Sequence, residues 1–165
     1  MSIVAVKIYK NKIVIGADSF VGFGYGSQLK DRNVKIFQHN DMTVGCVGYA
    51  SDCTLFRLFT QNRQPKTATE DDIVEFFVEF IDWCKKKDGS YKCESSFIIV
   101  FHKKAFYIDA GFYIKEIKKY YSMGAGQDMA QTALMLGKDV KESIAVACEM
   151  SCCCEKPINL FTINL

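Results

Sequence analysis

The segment Ile3-Val4-Ala5-Val6-Lys7-Ile8-Tyr9-Lys10-Asn11-Lys12-Ile13-Val14-Ile15-Gly16-Ala17 holds two apolar runs of strand length. The polar punctuation between them, Lys10-Asn11-Lys12, is far too short to house a crossover helix, so the two strands are predicted to be antiparallel. Neither run alternates apolar with polar residues, as a sheet with one wet face would. The sheet is therefore expected to be covered on both faces. Working outward, Val34 to Phe37 and Thr43 to Gly48 read as further strands, with Asn40-Asp41 between them.

After Gly48 the period changes. Ala50 to Thr60 carries Leu55, Phe56, Leu58 and Phe59 behind Ser51 and Asp52. Thr69 then caps a longer helix with Asp71 and Asp72 in its first turn. Ile73, Phe76, Phe77, Phe80, Ile81 and Cys84 recur every three or four residues and define its apolar face, and Gly89 is expected to end it. Phe97 to Phe101, Ala105 to Ile108 and Tyr113 to Ile117 return to strands, the first two joined by a tight turn at residues 102–104. A helix is predicted from Gly126 through Leu136. It stops at Gly137, and another runs behind Asp139 to about Cys152. Pro157 opens a last strand, Ile158 to Ile163. An antiparallel sheet buried on both faces, with two separate helix pairs, implies two stacked sheets, each faced outside by helices. The expected fold is α+β, a four-layer αββα sandwich. With no repeat or linker, residues 1–165 are expected to form one domain.

Composition narrows the function. Of 165 residues, 49% are apolar and 24% charged, enough for a substantial core, and the net charge of +2 offers no concentrated positive field for nucleic acid or a membrane surface. Lys85 to Lys87, Lys103-Lys104 and Lys118-Lys119 read as solvated turns and edges. No apolar run reaches the roughly 18 residues needed to span a bilayer. The eight cysteines follow no secretory signal pattern, so reduced thiols and a cytoplasmic setting, in a bacterium or in a phage-infected host, are expected.

Cys152, Cys153 and Cys154 are adjacent and lack a C-x-x-C pair or a suitably spaced histidine, which does not suit a tetrahedral metal site. Cys148 and Cys152, read as one helical turn apart, form a small apolar helix face. His39 and His102 are expected to be exposed beside turns. Gly22, Gly24 and Gly26 form a glycine-rich loop, yet no helix or Walker lysine follows, and Met129 occupies the third-glycine position after Gly124 and Gly126. No cofactor is implied.

Several segments in order resemble proteasome β-type subunits and the bacterial peptidase HslV. They are Ser2-Ile3-Val4-Ala5-Val6, Val14-Ile15-Gly16-Ala17-Asp18-Ser19, Asn33-Val34-Lys35-Ile36, Gly45-Cys46-Val47-Gly48 leading through Ala50-Ser51-Asp52, Met123-Gly124-Ala125-Gly126 and Ile158-Asn159-Leu160. The resemblance spans essentially the whole chain and implies an N-terminal nucleophile hydrolase. In that chemistry Ser2 becomes residue one after removal of Met1, and its α-amine, with an ordinary pKa of about 7.7 to 8.0, is the general base. The resemblance assigns Lys35 to keep that amine neutral, Asp18 to hold Lys35, and Gly48 to donate a backbone N–H to the oxyanion, with Gly45 as the other candidate donor.

The chain departs from the family pattern at Ala125, where a serine is usual, and at Ser151 and Cys154, where an aspartate and a further serine are usual. Two readings follow. One is a peptidase subunit in a closed homo-oligomer, a ring or stacked rings, acting on peptides or unfolded protein and served by an ATP-dependent unfoldase. The other is a catalytically inactive, self-assembling scaffold that kept the fold.

Overall fold

The computed structural model describes residues 2–22, 28–29 and 35–165. Met1, Gly24, Gly26, Asn33 and Val34 lie outside the described residues. In chain order the strands are β1 (Ile3–Ile8), β2 (Lys12–Ala17), β3 (Val21–Gly22), β4 (Gln28–Leu29), β5 (Ile36–His39) and β6 (Met42–Val47). Helices α1 (Ala50–Thr60) and α2 (Glu70–Lys85) follow, then β7 (Ser96–Phe101), β8 (Lys104–Ile108), β9 (Ile114–Ile117) and β10 (Tyr120–Gly124). Helices α3 (Gln127–Met135) and α4 (Val140–Met150) and strand β11 (Asn159–Asn164) complete the chain. These elements divide into two compact units, one from residues up to Ile36 and from Lys118 onward, the other from Phe37–Ile117.

The first unit is built on a sheet of order β10-β1-β2-β11, antiparallel throughout, with Val4 opposite Ala17 and Met123 opposite Val4 on the other side. Ile3 and Ala5 of β1 pack with Ala130 and Leu134 of α3 and Val140, Ile144 and Ala147 of α4. The alternate residues Val4 and Val6 are equally inaccessible, so both faces of β1 are buried, as its lack of alternation predicts. Asp139 starts α4 with a reciprocal capping box: its side chain accepts from the Glu142 N–H, and the Glu142 side chain accepts from the Asp139 N–H.

The second unit sets α1 and α2 against a sheet of order β5-β6-β7-β8-β9. Thr69 caps α2 by accepting from the Asp72 N–H, and the predicted apolar face from Ile73 to Cys84 is buried. Phe56 is central to this core, its ring centroid 4.3 Å from that of Phe97 and 4.8 Å from that of Phe80. Aromatic pairs at such separations add to the stabilisation from area burial.

The structure differs from the sequence reading in several places. Strand β10 was not anticipated, because Tyr120-Tyr121-Ser122 mixes polar with aromatic residues; pairing with β1 recruits it. Helix α2 stops at Lys85, before Gly89, since Cys84 is its last buried residue and the following lysines offer no apolar face. Helix α4 ends at Met150 because Ser151 is extended, which leaves Cys152 beyond the helix rather than one turn above Cys148. His39 is half-buried and bonded to Thr60 Oγ1 at 2.9 Å, where exposure was expected. No helix is long and apolar enough to cross a membrane among the described residues.

Candidate active site

The first unit gathers three of the four sequence-predicted site residues around one carboxylate. Asp18 follows the end of β2 and is fully inaccessible. Its Oδ1 accepts from the Ile3 N–H at 2.9 Å and from Lys35 Nζ at 2.5 Å. Its Oδ2 accepts from the N–H groups of Phe20 at 3.0 Å and Glu155 at 3.1 Å. A carboxylate removed from water needs such partners, because an unsatisfied buried charge is costly. The ammonium of Lys35 is buried with it, 5% exposed.

Ser2 directly precedes the Ile3 amide held by Asp18 and is itself buried, 6% exposed. Two backbone bonds fix its neighbourhood: Asp18 N–H donates to Ile3 C=O at 3.2 Å, and Gly126 N–H donates to Ser2 C=O at 3.3 Å. A single oxygen, Asp18 Oδ1, thus ties the start of β1, just after Ser2, to the side chain of Lys35.

Residues to which the sequence reading gave no catalytic role complete the surroundings. Ser19 N–H donates to Glu155 C=O at 2.9 Å and Ser19 Oγ donates to Pro157 C=O at 2.6 Å, while Asn159 Nδ2 donates to Ser19 Oγ. These bonds fasten the segment from Glu155 to Asn159 beside Asp18. Gly126 permits a close approach, since a Cβ there would stand 2.7 Å from Cys154 Sγ and 2.9 Å from Ala147 Cβ. Burial, and next the Asp18 charge, push the Cys154 thiol up to about 11 and the Cys148 thiol up to about 12. Both are poor nucleophiles at neutral pH. Ser151 Oγ accepts from the Cys153 N–H at 3.1 Å.

Gly48 belongs to the second unit, at the end of β6, with φ +127°. A Cβ there would lie 2.7 Å from Ser95 Cα, so both conformation and space demand glycine. The next amide, Tyr49 N–H, donates to Ser95 Oγ at 2.9 Å, and that hydroxyl donates to buried Asp52 at 2.7 Å. Asp52 also accepts from the Glu94 N–H and the Tyr91 hydroxyl, which pins the segment from Tyr91 to Ser95 to the start of α1. Gly45 lies within β6, opposite Ile98.

The chain has a proteasome- and HslV-type fold, the αββα sandwich expected from its sequence. It is similar to Thiobacillus denitrificans BPH in complex with epoxomicin, with a TM-score of 0.87 and 18% identity over 99% of this chain and 98% of that one. It is also similar to eukaryotic HslV from Trypanosoma brucei, with a TM-score of 0.77 and 14% identity over 99% of both chains. Anbu, an ancestral β-subunit from Yersinia bercovieri, matches with a TM-score of 0.73 and 11% identity over 98% of this chain and 81% of its own. No protein-family model matches the sequence, and no curated protein matches it.

Proposed function

We propose that this chain is a β-type, HslV-like subunit that hydrolyses peptide bonds with Ser2 as an N-terminal nucleophile. The observation that carries the proposal is the sharing of Asp18 Oδ1 between the Ile3 N–H and Lys35 Nζ, which places a buried cation and the start of β1 on one acceptor. After Met1 is removed, the freed α-amine of Ser2 accepts the Oγ proton as Oγ adds to the substrate carbonyl. A positive charge nearby disfavours protonation of that amine, which is the role given to Lys35, and Asp18 holds Lys35 in place. The Gly48 N–H is assigned to the oxyanion. Collapse of the tetrahedral intermediate passes the proton to the departing amine and leaves an ester on Ser2, which water then hydrolyses.

In this reading the chain assembles into a closed ring in a cytoplasm, with an ATP-dependent unfoldase supplying unfolded protein. Residues 1–165 are taken as one folding domain, for which fluorescence and circular dichroism should report a single coincident unfolding transition.

A second reading, an inactive self-assembling scaffold, is favoured by Cys154. This residue stands where the family usually has a serine, and its thiol is buried against Gly126, offering only a weak donor where a hydroxyl would orient the nucleophile. Intact-mass analysis and turnover of fluorogenic peptides separate the two readings. The enzyme reading expects a mass lacking Met1, turnover abolished in Ser2→Ala, and covalent capture of the Ser2 peptide by epoxomicin, the molecule bound in the BPH structure. A retained Met1, or undiminished turnover in Ser2→Ala, overturns it.

A further inference from the structure

We propose that Cys152 and Cys153 form a vicinal dithiol that a low-molecular-weight disulfide of the glutathione type oxidises reversibly to an intramolecular bridge, thereby loosening the backbone held by Asp18. This inference does not depend on Ser2 being a nucleophile.

The two sulfurs lie 3.8 Å apart, and none of the eight cysteines is in a disulfide. Cys152 is exposed and Cys153 half-buried. They occupy the central positions of a β-turn closed by the Cys154 N–H, which donates to Ser151 C=O at 3.3 Å. The neighbouring thiols are withdrawn: Cys154 is 5% exposed, and Cys148 is half-buried on α4. Cys152 is therefore the attacking thiol and Cys153 the resolving one. Burial, reinforced by the contact with Cys152, raises the Cys153 thiol above its ordinary value, consistent with that division.

The chemistry closes without any further reagent. The Cys152 thiolate attacks one sulfur of the disulfide and expels a thiolate, giving a mixed disulfide. The Cys153 thiolate then attacks the Cys152 sulfur and expels the second. The two departing thiolates take up the two protons lost by the cysteines, and the reagent is reduced by two electrons. Adjacent Cα atoms are about 3.8 Å apart, below the roughly 4.4 Å lower limit of ordinary disulfides, so the ring is strained and easily reduced. Closing the ring draws the two sulfurs from 3.8 Å to about 2.05 Å, and that shift strains the Ser151–Cys154 turn. Glu155 directly follows that turn; its N–H donates to Asp18 Oδ2 and its C=O accepts from Ser19 N–H.

The test exposes the full chain to oxidised glutathione and reads peptide masses and amide hydrogen exchange. The expected product is a Cys152–Cys153 bridge, reversed by dithiothreitol, with the Glu155 and Ser19 amides exchanging roughly tenfold faster than in the reduced chain. Cys153→Ser should stop at a glutathione adduct on Cys152, and the double variant Cys152→Ser/Cys153→Ser should show no change. A stable adduct in the unsubstituted chain, a bridge to Cys148, to Cys154 or to a second chain, or unaltered Glu155 exchange in the bridged form would each overturn the proposal.

Discussion

Asp18 Oδ1 and Lys35 Nζ stand 2.5 Å apart with both side chains buried, and the same oxygen accepts the Ile3 N–H. Asp18→Asn removes the negative charge but leaves the ammonium inside, and breaking one side of a buried pair costs about 3–5 kcal/mol. Urea denaturation should show that loss. Lys35→Met added to Asp18→Asn should recover part of it, because no unpaired charge then remains; an unchanged urea midpoint in Asp18→Asn would contradict the ion pair.

Gly48→Ala should destabilise the chain by roughly 1–3 kcal/mol through its positive φ alone, and by more through the overlap with Ser95. Ser95→Gly should rescue it only in part, since it removes the overlaps with Ser95 Oγ and Cβ but leaves the Ser95 Cα at 2.7 Å and the positive φ. Thermal melts of the single and double variants decide this.

Gly126→Ala forces a methyl group towards Cys154 Sγ, Ala147 Cβ and Ile3 Cβ. Overpacking of this kind costs about 1–3 kcal/mol. Cys154→Ala in the same chain should return only part of the loss, because the approach to Ala147 at 2.9 Å persists. Full recovery would show that the sulfur alone sets the spacing.

His39 has its pKa lowered, first by burial and then by the Arg57 charge. The folded state therefore binds fewer protons than the unfolded chain as pH falls below the ordinary histidine value of about 6.5. The contribution of His39 to stability should decline through that window towards its lower folded pKa. Denaturation midpoints at pH 7.5 and 5.5 should converge for His39→Gln relative to the unsubstituted chain, and an identical pH response in both would refute this role.

Alkylation should separate the thiols. With Cys154 pushed up to about 11 and Cys148 to about 12, a haloacetamide near pH 8 should label exposed Cys152 well before either. Labelling of Cys154 as fast as Cys152 would contradict the burial described.

Much of this molecule is legible in one dimension. The paired runs of β1 and β2, the helical face from Ile73 to Cys84, and the caps Thr69 and Asp139 are local patterns, because side-chain periodicity and capping act within a few residues. The αββα layout follows from their order. Asp18 and Lys35 were also nameable, although only through resemblance to a family, since nothing local pairs residues 17 positions apart.

Tertiary structure alone decided the rest. Strand β10 exists because β1 offers it a partner, and His39 is sheltered because Thr60 lies beside it. The Glu155 N–H reaches Asp18 across 137 positions, and Gly126 reaches Ser2 through a main-chain bond. Every residue but proline carries an amide donor, so sequence cannot mark which one will be used. The chain thus specified by itself most of its strands, its helices and the chemical types at its site. Which backbone groups converge on Asp18 was settled only when the sheet closed around it, because a buried carboxylate must satisfy its oxygens with whatever donors folding brings near.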